Sequence, residues 1–154
     1  MEEKSVEDMA KQIEDYLKKM NLHYYYFPEH KAFKVPFVSE DGRQFDVLIL
    51  IRGNWISTAA LAVSKEDLPP DLDEKEFYKI LLMTSFDMNE VNFALTSRGD
   101  VVVHAESHIK ALTYENFEVE FKAVVFGVEF LNRQILPNYP KIRMPSYSEL
   151  FYVL

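Results

Sequence analysis

His104, Glu106 and His108 stand at alternating positions, so an extended strand would present two imidazoles and a carboxylate on one face. That donor set suits a two-histidine, one-carboxylate metal site. Nothing else in the sequence specifies a further ligand, so the expectation is the solvent face of a strand and no bound metal. The chain carries 25 acidic residues, but no carboxylate pair is marked by spacing. Glu115, Glu118, Glu120 and Glu129 read as a solvated helix surface. Ser57 and Ser85 lack a nucleophile-elbow context. With 4 glycines there is no phosphate loop and no dinucleotide fingerprint. With 0 cysteines, disulfides, thiolate zinc sites and cysteine nucleophiles are excluded, and a reducing, cytoplasmic setting fits. The expectation is a non-enzymatic protein without a cofactor.

The aromatic run Tyr24-Tyr25-Tyr26-Phe27 supports two readings. Its side chains alternate across an extended chain and can pack as an ordinary edge strand. Together with Trp55 they could also line a pocket with apolar walls and a few polar tips, suited to a small molecule. Tyr24, Tyr25, Tyr26 and Trp55 are the candidate residues for such a regulatory pocket.

The elements that must position these groups follow from periodicity. Ser5 reads as an N-cap, and Val6, Met9, Ile13, Tyr16, Leu17 and Met20 repeat at helical spacing. Phe33, Val35 and Phe37 predict a strand, Phe45 to Ile51 a second, and Trp55 to Val63 a third, with turns at Ser39–Gly42 and Arg52–Asn54. The odd-numbered residues of all three are expected on the core face. Leu48 and Leu50 make the opposite face of the second strand apolar as well. After Leu68-Pro69-Pro70, Asp71 and Glu74 predict a capping box, and Phe77, Ile80, Leu81 and Thr84 line a short helix. Val91 to Leu95 and the run from Val101 form a hairpin around Ser97-Arg98-Gly99-Asp100.

A last helix should begin after Thr113 and run to about Ile135, with Pro137 ending it. Phe117, Phe121, Val124, Val125, Val128, Leu131 and Ile135 form its core face. Val119, Ala123, Phe126 and Phe130 form a second stripe on roughly the opposite side. A helix apolar on two sides normally touches two things. The tail after Pro137 is itself apolar, with Tyr147 and Phe151 among its rings. Either the tail folds over that stripe or a second subunit does, which makes Val119, Ala123, Phe126, Phe130, Tyr147 and Phe151 candidate contacts.

One α+β domain over residues 1–136, with an apolar C-terminal extension over 137–154, is the expected organisation. A length of 154 residues allows about 70% of the unfolded surface to be buried. A net charge of −8 without a basic cluster argues against nucleic acid, and no apolar run is long enough to span a membrane.

The order helix, three strands, helix, two strands, helix resembles class I type III secretion chaperones and the related YbjN-like sensory-regulator families. The local match is Asn92-Phe-Ala-Leu-Thr-Ser-Arg-Gly-Asp100, followed by Val101-Val-Val-His-Ala-Glu106 and by Leu112-Thr113 before the last helix. The pattern covers residues 5 to 136. The resemblance implies a twisted five-stranded antiparallel sheet receiving helices one and three, commonly dimeric and acting by protein binding. The apolar extension departs from the family pattern and nothing indicates a secretion system, so a separate prokaryotic branch, an archaeal one included, is the expectation. A homodimer that also binds another protein, chaperone-like or regulatory, is the leading functional expectation.

Overall fold

The Ser5 hydroxyl accepts the Asp8 amide at 3.1 Å and so caps the first helix. Glu7 and Asp8 lie in its first turn and Lys18 and Lys19 in its last, both favourable to the helix dipole. The computed structural model describes residues 4–142. Helix α1 spans Val6–Lys19 and buries Met9, Ala10, Ile13 and Leu17. Strands β1 (Tyr25–Phe27), β2 (Ala32–Val38), β3 (Gln44–Arg52) and β4 (Trp55–Val63) follow. Helix α2 (Glu74–Asp87) leads to the hairpin β5 (Asn92–Leu95) and β6 (Val101–His108), and α3 covers Tyr114–Phe130.

The sheet is antiparallel throughout, in the order β1-β2-β3-β4-β6-β5. It has six strands where five were expected. The addition is β1: Pro28 opens a 3-10 turn, Lys31 takes a left-handed φ of 50°, and Tyr26 then pairs with Phe33. A lysine at positive φ carries no sequence signal, so this turn was not legible beforehand.

Hairpin register decides which residues face the helices. β2 and β3 pair Val35 with Val47, odd with odd. The turn Gly53-Asn54 pairs Arg52 with Trp55, so odd residues of β3 oppose even residues of β4. The expected odd-numbered core face therefore holds for β2 and β3 and is reversed in β4. Ile56, Ala60 and Ala62 enter the main core, while Ala59 and Leu61 lie on the other face. Only beyond an irregularity between Leu61 and Val63 does Val63 rejoin the core.

All three helices pack on one face of the sheet. Besides α1 and α3, α2 contributes Phe77 and Leu81 to the same core. Its N-cap is Asp73, whose Oδ1 accepts the Glu76 amide at 3.1 Å, and not the expected Asp71. The Leu72 amide closes a turn onto the Pro69 carbonyl at 3.1 Å, and this delays the helix by two residues from Asp71 to Asp73. Asp71 instead pairs with Lys141 at 2.5 Å.

Thr113 caps α3 by accepting the Asn116 amide at 3.2 Å. Gly127 lets α3 lie close on the sheet, since a Cβ there would stand 2.6 Å from a methyl of Val103 and 3.0 Å from one of Val91. The expected continuous helix instead changes pitch, with a π turn over Leu131–Ile135 and a 3-10 turn over Leu136–Asn138. The chain stays packed beyond Pro137: the Tyr139 ring meets Phe77 edge-on at 5.1 Å, and Ile142 is buried in the main core.

Candidate interaction surfaces

The sheet face away from the helices has an apolar floor. Ala32, Leu48, Leu50, Leu61 and Val102 form a second buried cluster, with Ala59 and Ala94 against it. Register explains the grouping. Leu48 pairs with Ala59, which pairs with His104, while Leu61 pairs with Val102, which pairs with Ala94. A cavity of about 440 Å³ lies over this floor, bordered by Arg52, Arg98, His104 and Glu106. A leucine floor with a charged rim suits an apolar segment or ligand held by a few polar contacts.

The three residues singled out for metal chemistry share this face, as their alternation implied. His104 Nδ1 lies 2.6 Å from Glu106 Oε1. His108 is used otherwise: its Nδ1 accepts the Lys110 amide at 3.2 Å, and its ring meets Trp55 edge-on at 5.1 Å. Among the described residues no group of three His, Asp or Glu side chains is placed to hold a metal ion. On the helix side, burial raises the Glu120 carboxyl above its ordinary range, opposed by the 2.6 Å hydrogen bond that Ser107 donates to it.

The four aromatic residues proposed to line a pocket are not brought around one cavity. Tyr24 donates its hydroxyl proton to Glu14 at 2.6 Å, and Tyr26 stacks on Phe33 at 4.5 Å, both toward the helices. Tyr25 pairs with Lys34 on the other face, next to His23. Trp55 is on β4, three strands away in the sheet order, or about 14 Å at ordinary strand spacing.

Of the second stripe on α3, Val119 and Phe126 are 55% and 52% exposed. Ala123 and Phe130 are half-buried against the core, and the Phe126 and Phe130 rings lie 6.1 Å apart. Tyr147 and Phe151 lie outside the described residues.

A further apolar stripe was not anticipated. Leu82, Met83 and Phe86 point outward from α2, with Phe86 92% exposed and Leu82 68%. The sequence signal exists, since Leu82 and Phe86 are four apart and Met83 adjoins them. Ile80-Leu81-Leu82-Met83 is apolar all the way round, so periodicity alone does not separate its outward residues from the buried Phe77 and Leu81. Next to this stripe, Ser85 Oγ accepts the Phe93 amide at 2.9 Å and closes part of the outer edge of β5.

Among the described residues no helix is long and apolar enough to cross a membrane. No family model and no curated protein sequence matches the chain. Solved structures do. A chain of the ExsC–ExsE complex aligns over 86% of this chain and 97% of its own, with a TM-score of 0.61 at 15% identity. YbjN from E. coli aligns over 84% of this chain and 92% of its own, with a TM-score of 0.58 at 14% identity. A chain of the HopA1–SchA chaperone–effector complex aligns over 82% and 96%, with a TM-score of 0.56 at 9% identity. The chain therefore has the α+β fold of the type III secretion chaperones and of YbjN.

Proposed function

We propose that this chain is a non-enzymatic protein-interaction module, chaperone-like or regulatory, that works in the cytoplasm as a homodimer and binds a second protein. The observation that carries the reading is the outward stripe Leu82, Met83 and Phe86 on α2. A ring as exposed as Phe86, with two apolar neighbours on the same helix face, is unusual on a protein that works alone. A single helix stripe can meet its own copy across a two-fold axis, which makes it suited to a homodimer. The exposed α3 residues Val119 and Phe126 remain for a different protein. The shared fold with a chaperone–effector complex supports the same reading.

Light scattering on a sizing column tests the dimer. The full chain is expected at the mass of two copies, and a Leu82→Glu, Phe86→Glu variant at the mass of one, with unchanged far-ultraviolet circular dichroism. A full chain that stays monomeric at high concentration overturns the homodimer.

A small-molecule-binding regulator is the second reading. The observation that favours it is the cavity of about 440 Å³ over the open sheet face, not the tyrosine run. A compound that raises the melting temperature in proportion to its dose, and loses that effect in Leu50→Glu, would establish it.

A further inference from the structure

The concavity over the open sheet face is built by side-chain size. Strand β4 lies between β3 and β6, and two of its residues on that face are short. Register sets Ser57 between Leu50 and Glu106, and Ala59 between Leu48 and His104. A trough therefore runs along β4, with leucines on one side and polar side chains on the other. The cavity of about 440 Å³ fills it. A volume of that size takes a ligand of roughly ten to twenty non-hydrogen atoms. Arg52 stands at the β3–β4 turn and Arg98 at the β5–β6 turn, so the two arginines close opposite ends.

The polar groups around the trough are mainly donors. Arg52 and Arg98 bring two permanent positive charges, and Glu106 brings the one carboxylate among the lining residues. That carboxylate is held at 2.6 Å by His104 Nδ1. Each guanidinium already has an interaction within the chain, and with five N–H donors it can add a ligand carboxylate to it. Ser57 is the sharper signal. It is 7% exposed, and its hydroxyl makes no hydrogen bond among the described residues. A hydroxyl so buried is ordinarily paired, and this one lines the cavity one row of the sheet away from Arg52. The chain as a whole carries a charge of −8, so a trough with two arginines and one carboxylate is locally of the opposite sign.

We infer that this trough, the site of the small-molecule reading on which this inference rests, takes a small organic acid. The apolar body of the acid lies along Leu48 and Leu50, over the short Ala59. Its carboxylate reaches the Arg52 end, where the guanidinium supplies the charge and the Ser57 hydroxyl donates the hydrogen bond it otherwise lacks. Arg98 closes the far end and adds to the positive field.

Isothermal titration calorimetry on the full chain tests this with octanoate, octanamide and octylamine, which share an apolar chain and differ in charge. Octanoate is expected to bind one equivalent per chain about tenfold more tightly than octanamide, the step that one charge-assisted contact supports. Octylamine should bind more weakly than either. In Arg52→Gln, an exposed substitution that should leave the far-ultraviolet circular dichroism unchanged, the acid should fall to the affinity of the amide. Ala59→Leu, which fills the trough, should abolish the binding of both while cooperative melting is retained. An amide or amine that binds as tightly as the acid overturns the assignment of an acid and leaves the small-molecule reading standing. An acid preference that survives Arg52→Gln, uptake of several equivalents per chain, or binding that Ala59→Leu does not reduce overturns the site. No heat from any of the three overturns the inference, and the melting test with Leu50→Glu decides the wider reading separately.

Discussion

Tyr24 and Glu14 tie the start of the sheet to α1 through one hydrogen bond of 2.6 Å. The carboxylate raises the Tyr24 hydroxyl to about 12, and the same bond lowers the Glu14 carboxyl, with Lys18 assisting. The signs are opposite in their effect on stability. Tyr24 has a folded pKa above its unfolded value, so its contribution is complete below pH 10 and lost as pH rises through about 12. Glu14 has a depressed pKa, so its contribution is present above the ordinary carboxylate range and lost as pH falls through the folded value. Ultraviolet titration should therefore show a late-ionising tyrosine near pH 12 that moves back toward 10 in Glu14→Gln. A profile unchanged by that substitution would show that the bond does not form in solution. The Tyr24–Glu14 pair was not legible beforehand, because ten residues and a turn separate them in sequence.

Among the elements, α3 lies close on the sheet at Gly127, and the approach there is set by two valines from different segments. Gly127→Ala would place a methyl against Val103 at 2.6 Å and Val91 at 3.0 Å, so the helix must lift or the valines must shift. Over-packing of this kind typically destabilises by about 1–3 kcal/mol. Denaturant unfolding should show a lower midpoint with an unchanged slope, and an unaltered midpoint would mean that α3 rides higher on the sheet. The core stripe of α3 was readable from its spacing: Phe117, Phe121, Val124, Val128, Leu131 and Ile135 are buried, and Val125 is half-buried against the same core. The π turn over Leu131–Ile135 was not. Within it the buried Asn132 amide has no hydrogen-bond partner among the described residues, a cost that no helical wheel reveals.

For the whole molecule, the boundary expected at Leu136 has a direct consequence. Tyr139 lies against Phe77, Ile142 is in the main core, and Lys141 pairs with Asp71. A chain ending at Leu136 loses all three contacts, whereas one ending at Ile142 keeps them. Thermal melts should show the shorter chain several degrees less stable than the longer one, since burying one or two large apolar side chains contributes about 2–5 kcal/mol. Equal melting temperatures would return the boundary to Leu136. Any truncation meant to probe the tail should therefore end at Ile142.

The sequence by itself determined the three helices and five of the six strands, the hairpin at Gly99, the caps at Ser5 and Thr113, and the core faces of α1 and α3. Each is a local property: a period of two or 3.6, a hydroxyl before a helix, or a glycine whose φ of 88° suits a turn. Tertiary structure alone decided three things. It turned β4 over, because the parity of a hairpin register depends on how the strands pair and not on either strand's alternation. It put α1, α2 and α3 on the same face, so that Leu48 and Leu50 became part of a second buried cluster that no helix covers. It also separated Trp55 from Tyr24, Tyr25 and Tyr26, since neighbourhood across a sheet is fixed by strand order, which composition does not encode.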